Sequence, residues 1–324
     1  MRRRDFVLVI AGATAWPLGG HAQQPSKVPR VGILSPAASE TATSLAAFRQ
    51  GLRDLGYIEG KTIALDFRLS KGSVSALPAL AAELVRIPVN VIVADSTNGM
   101  LAAFDATHTV PIVIGAAGGD PVALGLAKSL SRPSGNVTGT SFLSRLSEKR
   151  LQLLKLAFPA AQRVAVLGNP NAANTVSEMP NVEIAAAQLG VRLVPLMAST
   201  TAELHALAPS ALSGSDGLLV IAEAFFHYNR ATIIDIVSKA RVRAIYPERE
   251  YAVDGGLIAY GPNVVEHFRQ AASYVDRILR GANPGDLPIN VTTKFDFVIN
   301  LKTARALGLT PSPEFLSTAD EVIE

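Results

Sequence analysis

Two kinds of short run alternate along most of the chain, and that alternation constrains the fold more than any other feature. Residues 28–34, 62–67, 89–94 and 111–114 are β-branched or apolar runs of strand length. The 89–94 run is almost wholly apolar, as a strand covered on both faces must be. Runs of helical period lie between them. In 43–55, Phe48, Leu52 and Leu55 share a face, and Gly56 ends the run. Residues 77–86 form a second helical run. Asp95-Ser96-Thr97-Asn98 offers caps for a third that reaches Ala106, and 121–130 starts with Pro121 in its first turn. The segment Arg132-Pro133-Ser134-Gly135-Asn136 then breaks the pattern, which restarts. Its second half has strands at 163–167, 192–195, 217–221, 244–246, 257–260 and near 295–299. Its helices are 147–158, 174–189, 201–212, 230–240, 264–280 and 301–307. Such βαβα order means parallel sheets with helices on both faces. A single restart predicts an α/β chain of two lobes rather than a solenoid.

Composition removes several classes. Of 324 residues, 48% are hydrophobic, which excludes a disordered chain and supplies a sizeable core. There is no cysteine, hence no disulfide, thiolate metal site, Cys nucleophile or lipidated Cys. The N-terminus reads as an export signal over residues 1–22. Arg2-Arg3-Arg4 precedes an apolar stretch from Phe6 to Ala13, and the small residues Gly19-Gly20 lead to a cleavage site after Ala22. Arg3-Arg4-Asp5-Phe6-Val7 is similar to a twin-arginine motif, though general secretion stays open. The apolar stretch is too short to span a bilayer, so a soluble, periplasmic mature chain is expected. The formal charge of +3 falls to +1 without residues 1–22, with 27 basic residues against 26 acidic. No basic stripe with interleaved aromatics is present, so nucleic acid is not an expected partner.

Enzyme motifs are sparse. His21, His108, His205, His227 and His267 are scattered, and none pair at helical metal spacing. No G-x-S-x-G elbow, dinucleotide fingerprint or Walker lysine occurs, and Gly214-Ser215-Asp216-Gly217 reads as a turn. No metal or cofactor is expected. Ligands of open parallel sheets sit beyond the carboxyl ends of the strands. There the chain places Ser35, Asp95, Ser96, Thr97, Asp120, Asn171, Glu223 and Glu250. Asp95, Ser96 and Thr97 either cap a helix only or also present donors to a ligand carboxylate. Asp120 precedes Pro121 and caps in either case. Phe226 either stacks on a flat ligand or fills the core. Glu223 and Glu250 either hold an ammonium or hydroxyl group or form hinge salt bridges. Ser141 and Phe142 lie beside the first passage between lobes. Two cleft carboxylates doing hydrolytic chemistry are a further alternative.

Several runs carry a resemblance. Ala47-Phe48-Arg49-Gln50-Gly51-Leu52 leads to Gly56-Tyr57-Ile58-Glu59-Gly60. Gly119-Asp120-Pro121-Val122 leads to Leu130-Ser131-Arg132-Pro133 and Gly135-Asn136-Val137-Thr138-Gly139. Glu148-Lys149-Arg150-Leu151, Asn169-Pro170-Asn171, Gly255-Gly256-Leu257, Asn300-Leu301-Lys302-Thr303-Ala304 and the closing Ala319-Asp320-Glu321-Val322-Ile323-Glu324 follow. With these the chain resembles, end to end, the ABC transporter substrate-binding protein family that includes the tryptophan-binding, TrpX-like proteins. The resemblance implies a type I periplasmic-binding-protein fold, with two Rossmann-like lobes and a three-crossing hinge. The crossings would fall near 139–141, 260–262 and 288–291. Lobe 1 would be 28–139 with 262–288, lobe 2 would be 140–261 with 289–308, and 309–324 a C-terminal tail. It also implies a non-enzymatic, monomeric protein that captures a small molecule for an ABC permease in the inner membrane. An aromatic amino acid or related small carboxylate is the ligand class implied. A sensor module for a membrane receptor is the other partner reading. Asp95 departs from the family's usual small residues after the third strand.

Overall fold

The computed structural model describes residues 28–142, 146–207 and 209–324. The expected export signal, 1–22, lies outside the described residues. The first half contains β1 (Arg30–Ser35), α1 (Thr43–Asp54), β2 (Ala64–Leu69), α2 (Leu77–Arg86), β3 (Val91–Asp95), α3 (Thr97–Ala106), β4 (Ile112–Ala117) and β5 (Val137–Ser141). Next come α4 (Leu146–Ala157), β6 (Arg163–Gly168), α5 (Ala173–Gln188), β7 (Arg192–Met197), α6 (Thr201–Ala206), β8 (Gly217–Val220) and α7 (Ala224–Tyr228). They are followed by α8 (Arg230–Ala240), β9 (Arg243–Tyr246), α9 (Arg249–Val253) and β10 (Ile258–Gly261). The remainder is α10 (Val264–Leu279), β11 (Asn290–Val291), β12 (Asp296–Asn300), α11 (Leu301–Ala306), α12 (Pro313–Leu316) and β13 (Glu321–Ile323).

These elements build two α/β lobes. The first sheet has the order β11-β5-β4-β3-β1-β2, and the second β13-β12-β10-β9-β8-β6-β7. All pairings are parallel except β10 with β12. Every residue of β3, β4 and β8 is buried, because helices cover both sheet faces. The chain passes between lobes three times: from β5 to α4, from β10 to α10, and from β11 to β12. α10 returns to the first lobe and presses Phe268, Ala271, Ala272 and Val275 into its core beside Phe48 and Leu52 of α1.

The sequence reading needs four corrections. Residues 121–130, expected to be a helix, form turns. Asp120 Oδ1 accepts from the Val122 and Ala123 amides, and Gly125 then takes φ +74°, which ends helical pairing after one turn. The expected helix 201–212 stops at Ala206, and a 3-10 turn follows at Pro209–Leu212, since Pro209 has no N–H to continue the ladder. Asn290–Val291, assigned above to lobe 2, pairs with β5 in the first sheet. Residues 309–324, expected as a tail, supply β13, which lengthens the second sheet beside β12.

One buried cation joins two of the crossings. Arg150 of α4 is fully buried. Its Nε donates to Tyr260 O at 2.7 Å, Nη2 to Pro247 O at 3.4 Å, and Nη1 to Ser147 Oγ at 3.2 Å. Ser147 in turn donates to Glu178, whose charge acts on Arg150. The start of α4 is thereby tied to the ends of β9 and β10. Gly261, where β10 leaves the second lobe, sits so close to Pro247 that a Cβ would lie 1.7 Å from its carbonyl oxygen. Gly261→Ala must therefore push backbone against backbone. We expect a loss of roughly 2–4 kcal/mol, read as a lower denaturant midpoint. An unchanged midpoint would contradict this close approach.

Candidate ligand-binding site

Parallel strands deliver their carboxyl ends, and the N-termini of the following helices, to one edge of each sheet. Here the two edges face each other. β3 ends in Asp95, and Ser96 adopts φ +82°, a region L-residues rarely occupy. That turn lets Ser96 Oγ accept the Gly99 amide at 3.1 Å and cap α3. Thr97 Oγ1 then accepts Gly119 N and donates to Asn174 Oδ1 at 2.9 Å, across the cleft. Asn98 Oδ1 accepts the Ala173 amide of α5 at 3.3 Å.

A second bridge is charged. Tyr228, at the end of α7 in lobe 2, reaches into lobe 1 and donates to Asp95 Oδ2 at 2.6 Å. Ser35 Oγ donates to the same oxygen at 2.5 Å, and Ser44 Oγ lies 2.9 Å from the Tyr228 hydroxyl. Burial raises the Asp95 pKa, against the lowering by these hydroxyls and by His227. Burial, with the Asp95 charge, raises the Tyr228 phenol well above its usual value, so it stays a donor. Gly72 of lobe 1 adjoins Phe225 of lobe 2, where a Cβ would lie 2.6 Å from the ring. The lobes are therefore closed upon each other.

Between them is a narrow cavity of about 40 Å³, partly open to solvent and walled by both lobes. Lobe 1 lines it with residues 95–98 and 116–118, the hinge with Phe142 and Val264, and lobe 2 with Asn174, Glu223, His227, Tyr228 and Glu248 among others. Glu223 follows β8 and caps α7, accepting the Phe226 amide at 3.3 Å. Burial pushes its pKa up to about 7, against the α7 amides and Asn169, with Glu248 adding to the rise. Glu248 follows β9, is buried, and sits 3.6 Å from His227 Nδ1. Burial would lower the His227 imidazole, but Glu248 outweighs it and its pKa is raised. Burial also raises Glu250, against His227.

The residues singled out from sequence divide clearly. Asp95, Ser96, Thr97, Phe142 and Glu223 line the cavity. Ser35 stands behind Asp95 and holds it. Ser141 is buried, donating to Ala117 O and Gly119 O. Asp120 lines only the outer mouth of the cleft. Asn171 is exposed and outside the lining, its amide bonded to Asn169. Glu250 lies behind Glu248 rather than on the cavity wall. Phe226 is a correction: it is fully buried in the second lobe's core with Phe225, because both rings face under α7. Asn98, Asn174, His227, Tyr228 and Glu248 were missed. The signal for His227 and Tyr228 was their place one helical turn after Glu223.

Two facing α/β lobes with a cavity between them define a binding protein that closes on its ligand. Residues 33–323 match the family model described as ABC transporter substrate binding protein, and the chain belongs to that family. It is a substrate-binding protein of an ABC transporter; such proteins bind small ligands and work with ABC permeases. A "Tyrosine-binding protein" of Clostridioides difficile (strain R20291) is 28% identical over 263 residues, 81% of this chain and 75% of that one. The ABC domain from Streptococcus pneumonia in complex with L-Trp superposes with a TM-score of 0.81 at 22% identity, covering 92% of this chain and all of that one. The ligand-free, open form of a substrate-binding protein with adhesive properties from Clostridium difficile scores 0.61 at 25% identity, over 92% of this chain and 99% of that one. No helix among the described residues is long and apolar enough to cross a membrane.

Glu223 gives a pH test. It binds a proton near pH 7 when folded, against 4.5 as the ordinary value. Its contribution to stability is thus full below about pH 4.5 and lost as pH rises through about 7. Glu223→Gln keeps an acceptor for Phe226 N and removes that loss. In the ligand-free protein, Tm should rise by a few degrees at pH 8 and stay nearly unchanged at pH 5. An equal shift at both pH values would contradict the assignment.

Proposed function

We propose that this chain is exported to the periplasm as a monomer and captures an aromatic amino acid, or a related small carboxylate, without turning it over. The observation that carries the reading is the cavity walled from both lobes and bridged by hydrogen bonds between them, Thr97–Asn174 and Asp95–Tyr228 above all. A ligand stabilises closure only through contacts to both lobes, and this cavity offers both. The whole chain superposes better on the L-Trp-bound structure than on the open one, although the open one is the more identical in sequence. Phe142, His227 and Tyr228 give the walls flat faces suited to a ring. The first turn of α3 supplies amides for a carboxylate. The names of the relatives, tyrosine-binding and L-Trp-bound, point to the same ligand class.

Titration calorimetry with L-tyrosine, L-tryptophan and L-phenylalanine, against glucose and ribose as controls, tests this. The expected result is one-to-one binding of at least one aromatic amino acid, recovered unchanged by chromatography. Binding of sugars only, or recovery of a cleaved product, would overturn it. Tyr228→Phe removes the hydrogen bond to Asp95, worth about 1.5 kcal/mol, and should weaken that ligand roughly tenfold. X-ray scattering should then show a more open ligand-free molecule. A variant that binds and scatters like the parent would contradict the bridge.

A further inference from the structure

We infer that the cleft selects ligands bearing a cationic amine, and that Glu248 and Glu223 of the second lobe take that amine while Asp95 serves closure. This rests on the cleft being the ligand site. It begins with charge. The cavity wall carries three carboxylates, Asp95, Glu223 and Glu248, and among the described residues no Lys or Arg. The cations near it are engaged elsewhere. Arg150 is spent on Tyr260 O, Pro247 O and Ser147. Arg230 pairs with Asp254 at 2.8 Å and donates to His227 O. His227 is a single imidazole facing both Glu248 and Glu250.

The three acids are not equivalent. Asp95 already receives two hydroxyl donors, from Ser35 and Tyr228. Glu248 has only 4% of its surface exposed, and its Oε2 makes no hydrogen bond, facing only the His227 imidazole at 3.6 Å. The facing His227 Nδ1 and the neighbouring Glu250 Oε2 are also buried without a hydrogen bond. A buried carboxylate oxygen without a donor is costly, and such atoms are nearly always satisfied. A ligand ammonium brings three N–H donors and a positive charge that one imidazole, shared between Glu248 and Glu250, does not supply to Glu223. Position favours the same answer. Glu223 and Glu248 follow β8 and β9, which are adjacent in the second sheet. Neighbouring strands run about 4.8 Å apart, so one ammonium can lie between the two carboxylates. A ligand with a carboxylate but no amine would add negative charge to a wall that has no cation left to meet it.

The test compares matched probes by calorimetry at pH 8. L-tyrosine and L-tryptophan are set against 3-(4-hydroxyphenyl)propionate and indole-3-propionate, which lack the amine. Lysine and putrescine extend the panel to non-aromatic amines. The amino acids should bind at least 100-fold more tightly than the desamino acids. Glu248→Gln should weaken the amino acid about 30-fold and shrink that ratio, while far-UV circular dichroism of the ligand-free variant stays native. Glu223→Gln should shrink the ratio in the same direction, and serves if Glu248→Gln does not fold. Equal binding of amino and desamino acids would overturn this inference and leave aromatic capture standing. Binding of lysine or putrescine alone, lost in Glu248→Gln, would support the inference and overturn aromatic capture. Binding only of desamino acids or sugars, or no binding by any amine, would overturn the inference.

Discussion

A parallel sheet can deliver all its strand ends to one edge, and the rest of this structure depends on that constraint. Two such edges face each other across three chain crossings. Polar residues that would be stranded inside a sheet can therefore collect where helices begin. Asp95, Glu223 and Glu248 are each the residue at or just after a strand's end. Backbone amides of α3 and α7 meet them there, through the caps of Ser96 and Glu223. The site is thus a consequence of the topology, and its particular chemistry comes from a handful of side chains placed at that edge.

The same edge concentrates free energy cost. Buried carboxylates are unfavourable unless donors or cations answer them. In lobe 1 that answer is internal, since Ser35 and Tyr228 satisfy Asp95 when the lobes close. In lobe 2 it is incomplete, since Glu248 Oε2 makes no hydrogen bond and shares a single imidazole with Glu250. Closure and ligand capture are in this view separate functions of one acidic cleft. The first depends on a tyrosine from across the gap, and the second on whatever positive group enters it. Arg150, buried beneath the crossings, keeps the second lobe's half of the site in register with the hinge.

The two-lobe architecture was legible because buried parallel strands are short apolar runs, and those runs restart after Pro133-Ser134-Gly135. The helical reading of 121–130 failed because apolar periodicity does not reveal Gly125 at positive φ. Part of the cavity wall could be read from strand ends, as Asp95, Ser96, Thr97 and Glu223 show. The rest depends on long-range geometry. Tyr228 meets a partner 133 residues away, and no local pattern encodes that. Phe226 looked available because two adjacent aromatics seldom share one environment, yet both rings of the Phe225-Phe226 pair are packed inward. Glu248 and Glu250 stand two residues apart at the start of a short helix, where periodicity is too brief to tell which of them lines the cavity.

Native mass spectrometry of residues 23–324, purified from a rich bacterial extract and then gently unfolded, tests the central claim most directly. The account predicts one small amine-bearing molecule per chain, aromatic and released chemically unchanged. A chain that carries nothing, and that gains no thermal stability from any aromatic amino acid, would contradict it.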